Sequence, residues 1–183
     1  MTRLLFVAAH PFLDSMLAIA GRLNLKEGGP SFMPPIDPDL VLSLKRPQYW
    51  VATRDKSQYD RRTIYMIYKR NLRLPFEEVF DAPDTLLSCA RREQATHAPQ
   101  ALELLNGQTS NELAAVFAQR LLKGRTTAPE RVDYGWRLAA GRLPTAAEKS
   151  LSLKFVAANP DDPARMKEFA LALFNLNAFL YVN

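Results

Sequence analysis

Apolar residues recur every three or four positions through the second half of the chain. Leu113, Val116, Phe117 and Leu121, with Arg120 among them, fall on one helical face. Three Thr-x-x-Glu patterns punctuate this half: Thr109 with Glu112, Thr127 with Glu130, and Thr145 with Glu148. In such a box the threonine oxygen and the glutamate carboxylate take up amides that the first helical turn leaves unpaired. The pattern predicts helices over 98–106, 109–124, 127–141 and 145–158. Asp162 followed by Pro163 opens a last one that runs to about residue 175.

The first half is patterned differently. Leu13, Met16, Leu17 and Ala20 have helical spacing, with a start near His10 or Pro11 and a stop at Gly21. The same stretch imitates a signal peptide, with Arg3, an apolar run and Ala18-Ile19-Ala20. His10, Pro11 and Asp14 interrupt that run, and the amphipathic helix accounts for the spacing better. Residues 24–50 have no regular period and contain Gly28-Gly29-Pro30 and Pro34-Pro35-Ile36-Asp37-Pro38, which predicts loop lying over other elements. Residues 62–69, Arg-Thr-Ile-Tyr-Met-Ile-Tyr-Lys, form the best strand candidate; apolar on both faces, they suit a strand covered on both sides or a short buried helix. A helical turn follows over 76–80, then an Asp81-Ala82-Pro83-Asp84 turn. The expected fold is mainly α: one domain over 1–183, loop-rich through 1–97 and helical over 98–183. A short strand or small hairpin and long ordered loops complete it.

Composition changes this picture at two points. The net charge is +5, but it is concentrated. Between residues 45 and 73 nine lysines and arginines face only Asp55 and Asp60, a net +7 that leaves −2 elsewhere. Such a stretch calls for an anionic partner or an internal acidic counterpart. Tyr49, Trp50, Tyr59, Tyr65 and Tyr68 are interleaved with it, the composition of a single-strand nucleic-acid binder, although no nucleic-acid motif accompanies it. Cys89 is the only cysteine, and His10 and His97 are the only histidines. A disulfide framework, a Cys-x-x-Cys-His haem attachment and a cysteine- or histidine-rich metal cluster are therefore excluded within the chain. No cofactor is expected in this chain, and no apolar run is long enough to span a membrane.

Read in order, 61–106 gives Arg-Arg-Thr-Ile-Tyr, then Lys69-Arg70-Asn71-Leu72-Arg73-Leu74-Pro75 and Phe80-Asp81-Ala82-Pro83-Asp84. Ser88-Cys89-Ala90-Arg91-Arg92 and Ala98-Pro99-Gln100-Ala101-Leu102-Glu103-Leu104-Leu105-Asn106 complete it. This segment resembles the C-terminal domain, of unknown function, of large planctomycete-type proteins described as cytochrome c domain-containing. Gly21-Arg22-Leu23, Gly28-Gly29-Pro30, Arg137-Leu138, Gly141-Arg142 with Pro144, and the closing Asn175-Leu176-Asn177-Ala178-Phe179-Leu180-Tyr181-Val182 are similar as well. The resemblance covers about residues 14–183, and residues 1–12 depart from it. It implies a truncated or split member, an exported or periplasmic setting, and a partner in the upstream or haem-bearing part of a larger protein. The haem cysteines are not here, so haem chemistry does not carry over.

The candidate constellation is Arg61, Arg62, Asp81, Asp84, Cys89, Arg91 and Arg92. Guanidinium forks take carboxylate or phosphate bidentately, which suits an anion or sugar pocket; the same residues suit an internal Arg–Asp network that pins loops to helices. Asp81 and Asp84, with Glu77 and Glu78, offer an acid and a base for an accessory hydrolase on anionic or polysaccharide substrates. The simpler account of these aspartates is a turn. Cys89 beside Arg91 and Arg92, with His97 as base, has the makings of a nucleophile, and equally of a small buried hydrophobe. The leading expectation is a non-catalytic binding or scaffold module.

Overall fold

The computed structural model describes residues 5–6, 9–42, 44, 46–69, 74, 76, 79–80 and 97–182. Among these the fold is mainly α. Helix α1 (Ala9–Ala20) is followed by the short α2 (Pro38–Leu42) and by 3-10 turns at Pro47–Tyr49, Lys56–Asp60 and Thr63–Tyr65. Then come α3 (His97–Asn106), α4 (Gln108–Gly124), α5 (Ala128–Ala140), α6 (Ala146–Val156), α7 (Pro163–Phe174) and the single turn α8 (Asn177–Leu180). Strands β1 (Leu5–Phe6) and β2 (Tyr181–Val182) pair antiparallel, Leu5 opposite Val182 and Phe6 opposite Tyr181.

Local chemistry explains most helix ends. Gly21 takes φ +78 after α1, and the Arg22 amide donates back to the Leu17 carbonyl at 2.9 Å, closing the last turn. Thr127 and Thr145 make both halves of their capping boxes, and Asp162 accepts from the Ala164 amide to start α7. The box expected at Thr109 does not form. Helix α4 begins two residues earlier than a Thr109 cap would place it, capped by the extended backbone of Gly107, so Thr109 lies inside the first turn. Gln108 Nε2 holds the Glu112 carboxylate at 2.8 Å instead.

The core is one apolar cluster. Helices α4 and α7 form the most extensive interface, with α1 laid across α4. Phe12, Met16, Phe117, Leu121, Leu173 and Phe174 are at most 1% exposed. Each such side chain contributes about 1.5–3 kcal/mol by leaving water. Gly135 lets α5 approach α7 closely: a Cβ there would stand 2.9 Å from Leu173 Cδ1 and 3.2 Å from Phe169 Cε1.

The strand expected over 62–69 is not a strand. Residues Thr63–Tyr65 form a 3-10 turn, flanked by single parallel bridges from Arg61 to Asn24 and from Met66 to Phe32. The amide of Thr63, which a ladder would need, donates to Asp14 Oδ1 on α1 at 2.7 Å. The buried positions are 61, 63 and 66, not every second residue, because the segment winds over α1. Of the helical turn predicted over 76–80, residues 76, 79 and 80 are described, and there the Phe80 amide donates to the Phe76 carbonyl. At the other end Asn175 Nδ2 donates to the Leu171 carbonyl at 2.9 Å, locking the last turn of α7.

Candidate functional site

Arg61 sits at the centre of the looped region and is 1% exposed. Three segments hold it. Its guanidinium donates to the carbonyls of Gly28 and Pro30, and at 3.2 Å to Gln58 Oε1. The Tyr65 ring lies 3.9 Å below it, and the Tyr65 hydroxyl accepts from the Gly28 amide at 3.0 Å. Nε is buried and donates to no acceptor among the described residues. Among the described residues no carboxylate stands within ion-pair distance of Arg61. Burying a guanidinium costs several kcal/mol unless its donors are met, and here carbonyl oxygens and an aromatic face meet most of them.

The neighbouring arginines do have carboxylates. Arg22 grips Asp60 with two nitrogens, at 2.6 and 3.1 Å. Arg62 is half exposed and stands 3.8 Å from Asp14, whose other oxygen holds the Thr63 amide. Arg120, on α4, reaches back to the last carbonyls of α1, donating to Ala18 at 3.0 Å and Ile19 at 2.7 Å.

Two clefts flank the wall formed by Arg61 and Phe32. One, of about 210 Å³, lies between this wall and the helices, with Leu13 and Leu17 of α1 and Thr109, Glu112 and Leu113 of α4 on its far side. The other, of about 290 Å³, opens under the Gly28–Gly29 loop and is faced by Lys26, Ser31, Thr53, Asp55 and Gln58. Asp55 caps the 3-10 turn at its rim. Hydrogen bonds from the Ser57 hydroxyl, from Gln58 and from the Ser57 amide, aided by the charge of Lys26, hold its carboxyl below the usual carboxylate range.

Of the seven residues singled out in the sequence, Arg61 and Arg62 are placed; they lie side by side but face different partners. Asp81, Asp84, Cys89, Arg91 and Arg92 lie outside the described residues, as do Glu77 and Glu78. Asp14, Asp60 and Gln58 carry no motif that marks them in the sequence. Local cues exist for Arg22, the partner of Asp60, which belongs to the Gly21-Arg22-Leu23 motif, and for the two carbonyls that hold Arg61, which belong to Gly28-Gly29-Pro30. Among the described residues there is no group of three or more His, Cys, Asp or Glu able to hold a metal ion, and no helix long and apolar enough to cross a membrane.

The basic and aromatic residues of 45–73 are largely turned to internal use. Trp50 is buried, its Nε1 donating to the Pro34 carbonyl at 3.1 Å and its ring covered by Lys69 at 5.1 Å. The Tyr59 hydroxyl donates to the Thr53 carbonyl. Tyr49 is exposed, with Arg46 6.0 Å from its ring, and Arg54 is exposed as well. Arg70 and Arg73 are outside the described residues. A stacking platform for bases needs outward aromatic faces, and Trp50, Tyr59 and Tyr65 do not supply them.

No curated protein and no solved structure is significantly similar to this chain. A family match does exist, and it covers residues 5–156. It takes in β1 and the start of α1, which the motifs leave outside, and it stops at the end of α6, short of the Asn175–Val182 motif. The matching family is described as PSD1, protein of unknown function (DUF1553), and the chain belongs to it.

Proposed function

We propose that the chain is a non-catalytic binding or scaffold module of a larger exported protein associated with a c-type cytochrome. The observation that supports this is the use made of three arginines, the motif residues Arg22 and Arg61 and the α4 residue Arg120. Arg22, Arg61 and Arg120 are engaged by carbonyls and a carboxylate of their own chain, and each ties a loop or helix end to another element. Arginines arranged this way hold a surface in shape. The exported setting and the cytochrome association follow from the resemblance to planctomycete-type proteins.

The test is to mix the purified chain with a haem-bearing c-type cytochrome domain encoded alongside it. Sedimentation is followed at the haem absorbance. Co-sedimentation in a fixed ratio is the expected result, and independent sedimentation overturns the reading. So does hydrolysis of an acidic polysaccharide by the chain alone, if Asp81→Asn or Asp84→Asn abolishes it; that result would establish the accessory hydrolase instead.

A further inference from the structure

The cleft under the Gly28–Gly29 loop has an unbalanced charge. Lys26 and Arg61 contribute two positive charges to its lining and Asp55 one negative charge, leaving a net +1. Asp55 is engaged by its own turn, through the amide and hydroxyl of Ser57 and the side-chain amide of Gln58. Arg61 is the more telling residue. It is 1% exposed, it lines the cleft, no described carboxylate pairs with it, and no described acceptor meets its Nε–H. Nη2 is taken by the Gly28 carbonyl, so Nε is the guanidinium donor left for a carboxylate oxygen, in a charge-assisted hydrogen bond. The opposite end of the group is occupied by the Pro30 carbonyl and Gln58, and one face by Tyr65. Ser31 and Thr53 add hydroxyls at the wall, and a Cβ built on Gly28 or Gly29 meets nothing within 4 Å, so the side of the loop on which those Cβ atoms would lie is open.

We propose that this cleft binds a small organic carboxylate, with Arg61 supplying a fixed charge at its floor and Lys26 a mobile contact at its rim. At about 290 Å³ it lies at the small end of ligand pockets, suited to a mono- or dicarboxylate of few heavy atoms. The site does not depend on the scaffold reading.

The full chain, labelled with nitrogen-15, is titrated with succinate and with acetate, and in parallel with inorganic phosphate and with chloride at matched ionic strength. The expected result is saturable movement of the Gly28, Gly29 and Ser31 amide signals and of the Arg61 Nε–H with a carboxylate but not with chloride. Lys26→Glu reverses one rim charge on an exposed residue that the fold does not need, and is expected to weaken succinate or acetate binding about tenfold or more. No carboxylate-dependent movement at millimolar concentrations overturns the proposal. Equal movement with chloride does so too, as does unchanged affinity in Lys26→Glu. Saturation by phosphate alone overturns the assignment to carboxylates. Because Arg61→Met is open to misfolding, the loss of affinity is measured in Lys26→Glu, with the α4 and α7 amide signals as the control for an intact fold.

Discussion

In α5 and α6 the amides that a helix start leaves unpaired are met by residues three positions away: Thr127 with Glu130, and Thr145 with Glu148. In the looped segment over 22–69 a few amides are capped two positions away, as Ser57 is by Asp55, but the groups that fix the loops to one another are met from sixteen to forty-nine positions away, by Trp50 on Pro34, Thr53 on Met33, Arg61 on Gly28 and Pro30, and Asp14 on Thr63. The helical half thus specifies its backbone locally and then buries apolar faces. The looped half has few buried apolar residues of its own, Phe32, Trp50 and Met66, and is held in place by polar side chains. Order in the first region is a matter of packing; order in the second is a matter of hydrogen bonds to particular carbonyls.

Substitutions can break that comparison, and the largest effect is expected in the helices. Phe117 is fully buried and stacks on Phe174 at 5.9 Å. Phe117→Ala should cost about 3–5 kcal/mol of global stability, read from chemical denaturation. Arg61→Met should cost less, about 1–3 kcal/mol, because it leaves buried carbonyls without donors. Its signature is local: hydrogen exchange should quicken at Asn24, Phe32 and Ile67, whose amides carry the loop hydrogen bonds, while α4 and α7 keep their protection. If Arg61→Met instead accelerates exchange uniformly, the two regions are one cooperative unit and the distinction fails.

The capping boxes sharpen the comparison within the helical half. Thr145→Ala should lower stability by about 1 kcal/mol. Thr109→Ala, which removes no cap, should change it by less than about 0.5 kcal/mol. Equal losses in thermal melts would contradict the assignment of Gly107 as the α4 cap.

The smallest effect concerns pH. Glu148 is held at about 2, first by hydrogen bonds from Arg142 and then by the Thr145 amide. A carboxyl lowered on folding stabilises the folded chain above its unfolded value, 4.5, and that contribution disappears as the pH falls toward 2. Glu148→Gln should therefore melt lower than the parent near pH 6, and the gap should close as the pH approaches 2. A constant gap would show that the pair does not act through ionisation.

The same contrast explains what can be read from the sequence. Helices α1, α3 and α4 to α7 are legible within a residue or two because spacing, Gly21, Gly141, Asp162 and two genuine boxes are local signals. The Thr109 box misleads because a box pattern does not say whether the helix has already begun, and Gly107 supplies an earlier start. The strand over 62–69 misleads because β-branched and aromatic residues record burial rather than pairing; Asp14, forty-nine positions earlier, takes the Thr63 amide. Arg61 is legible as a residue of interest, but not its partners, since main-chain carbonyls look alike in any sequence. The clefts beside it depend on where Phe32 and Gln58 come to rest, which is a matter of long-range geometry.

Arg120 has a consequence for how the protein is made. The carbonyls that it closes, those of Ala18 and Ile19, precede it by about a hundred residues. Helix α1 also packs on α4, and Phe12 and Met16 lie in the common core. At translation rates of about 5–20 residues per second, α1 leaves the ribosome some 5–20 seconds before its cap and its packing surface are synthesised. During that interval Phe12, Met16 and Leu17 lack the α4 surface that completes their core, although Phe12 can already meet Phe76 and Phe80 once these are made. Co-translational chaperones that bind short apolar segments are thus expected to hold α1 on the nascent chain and to release it once α4 has emerged.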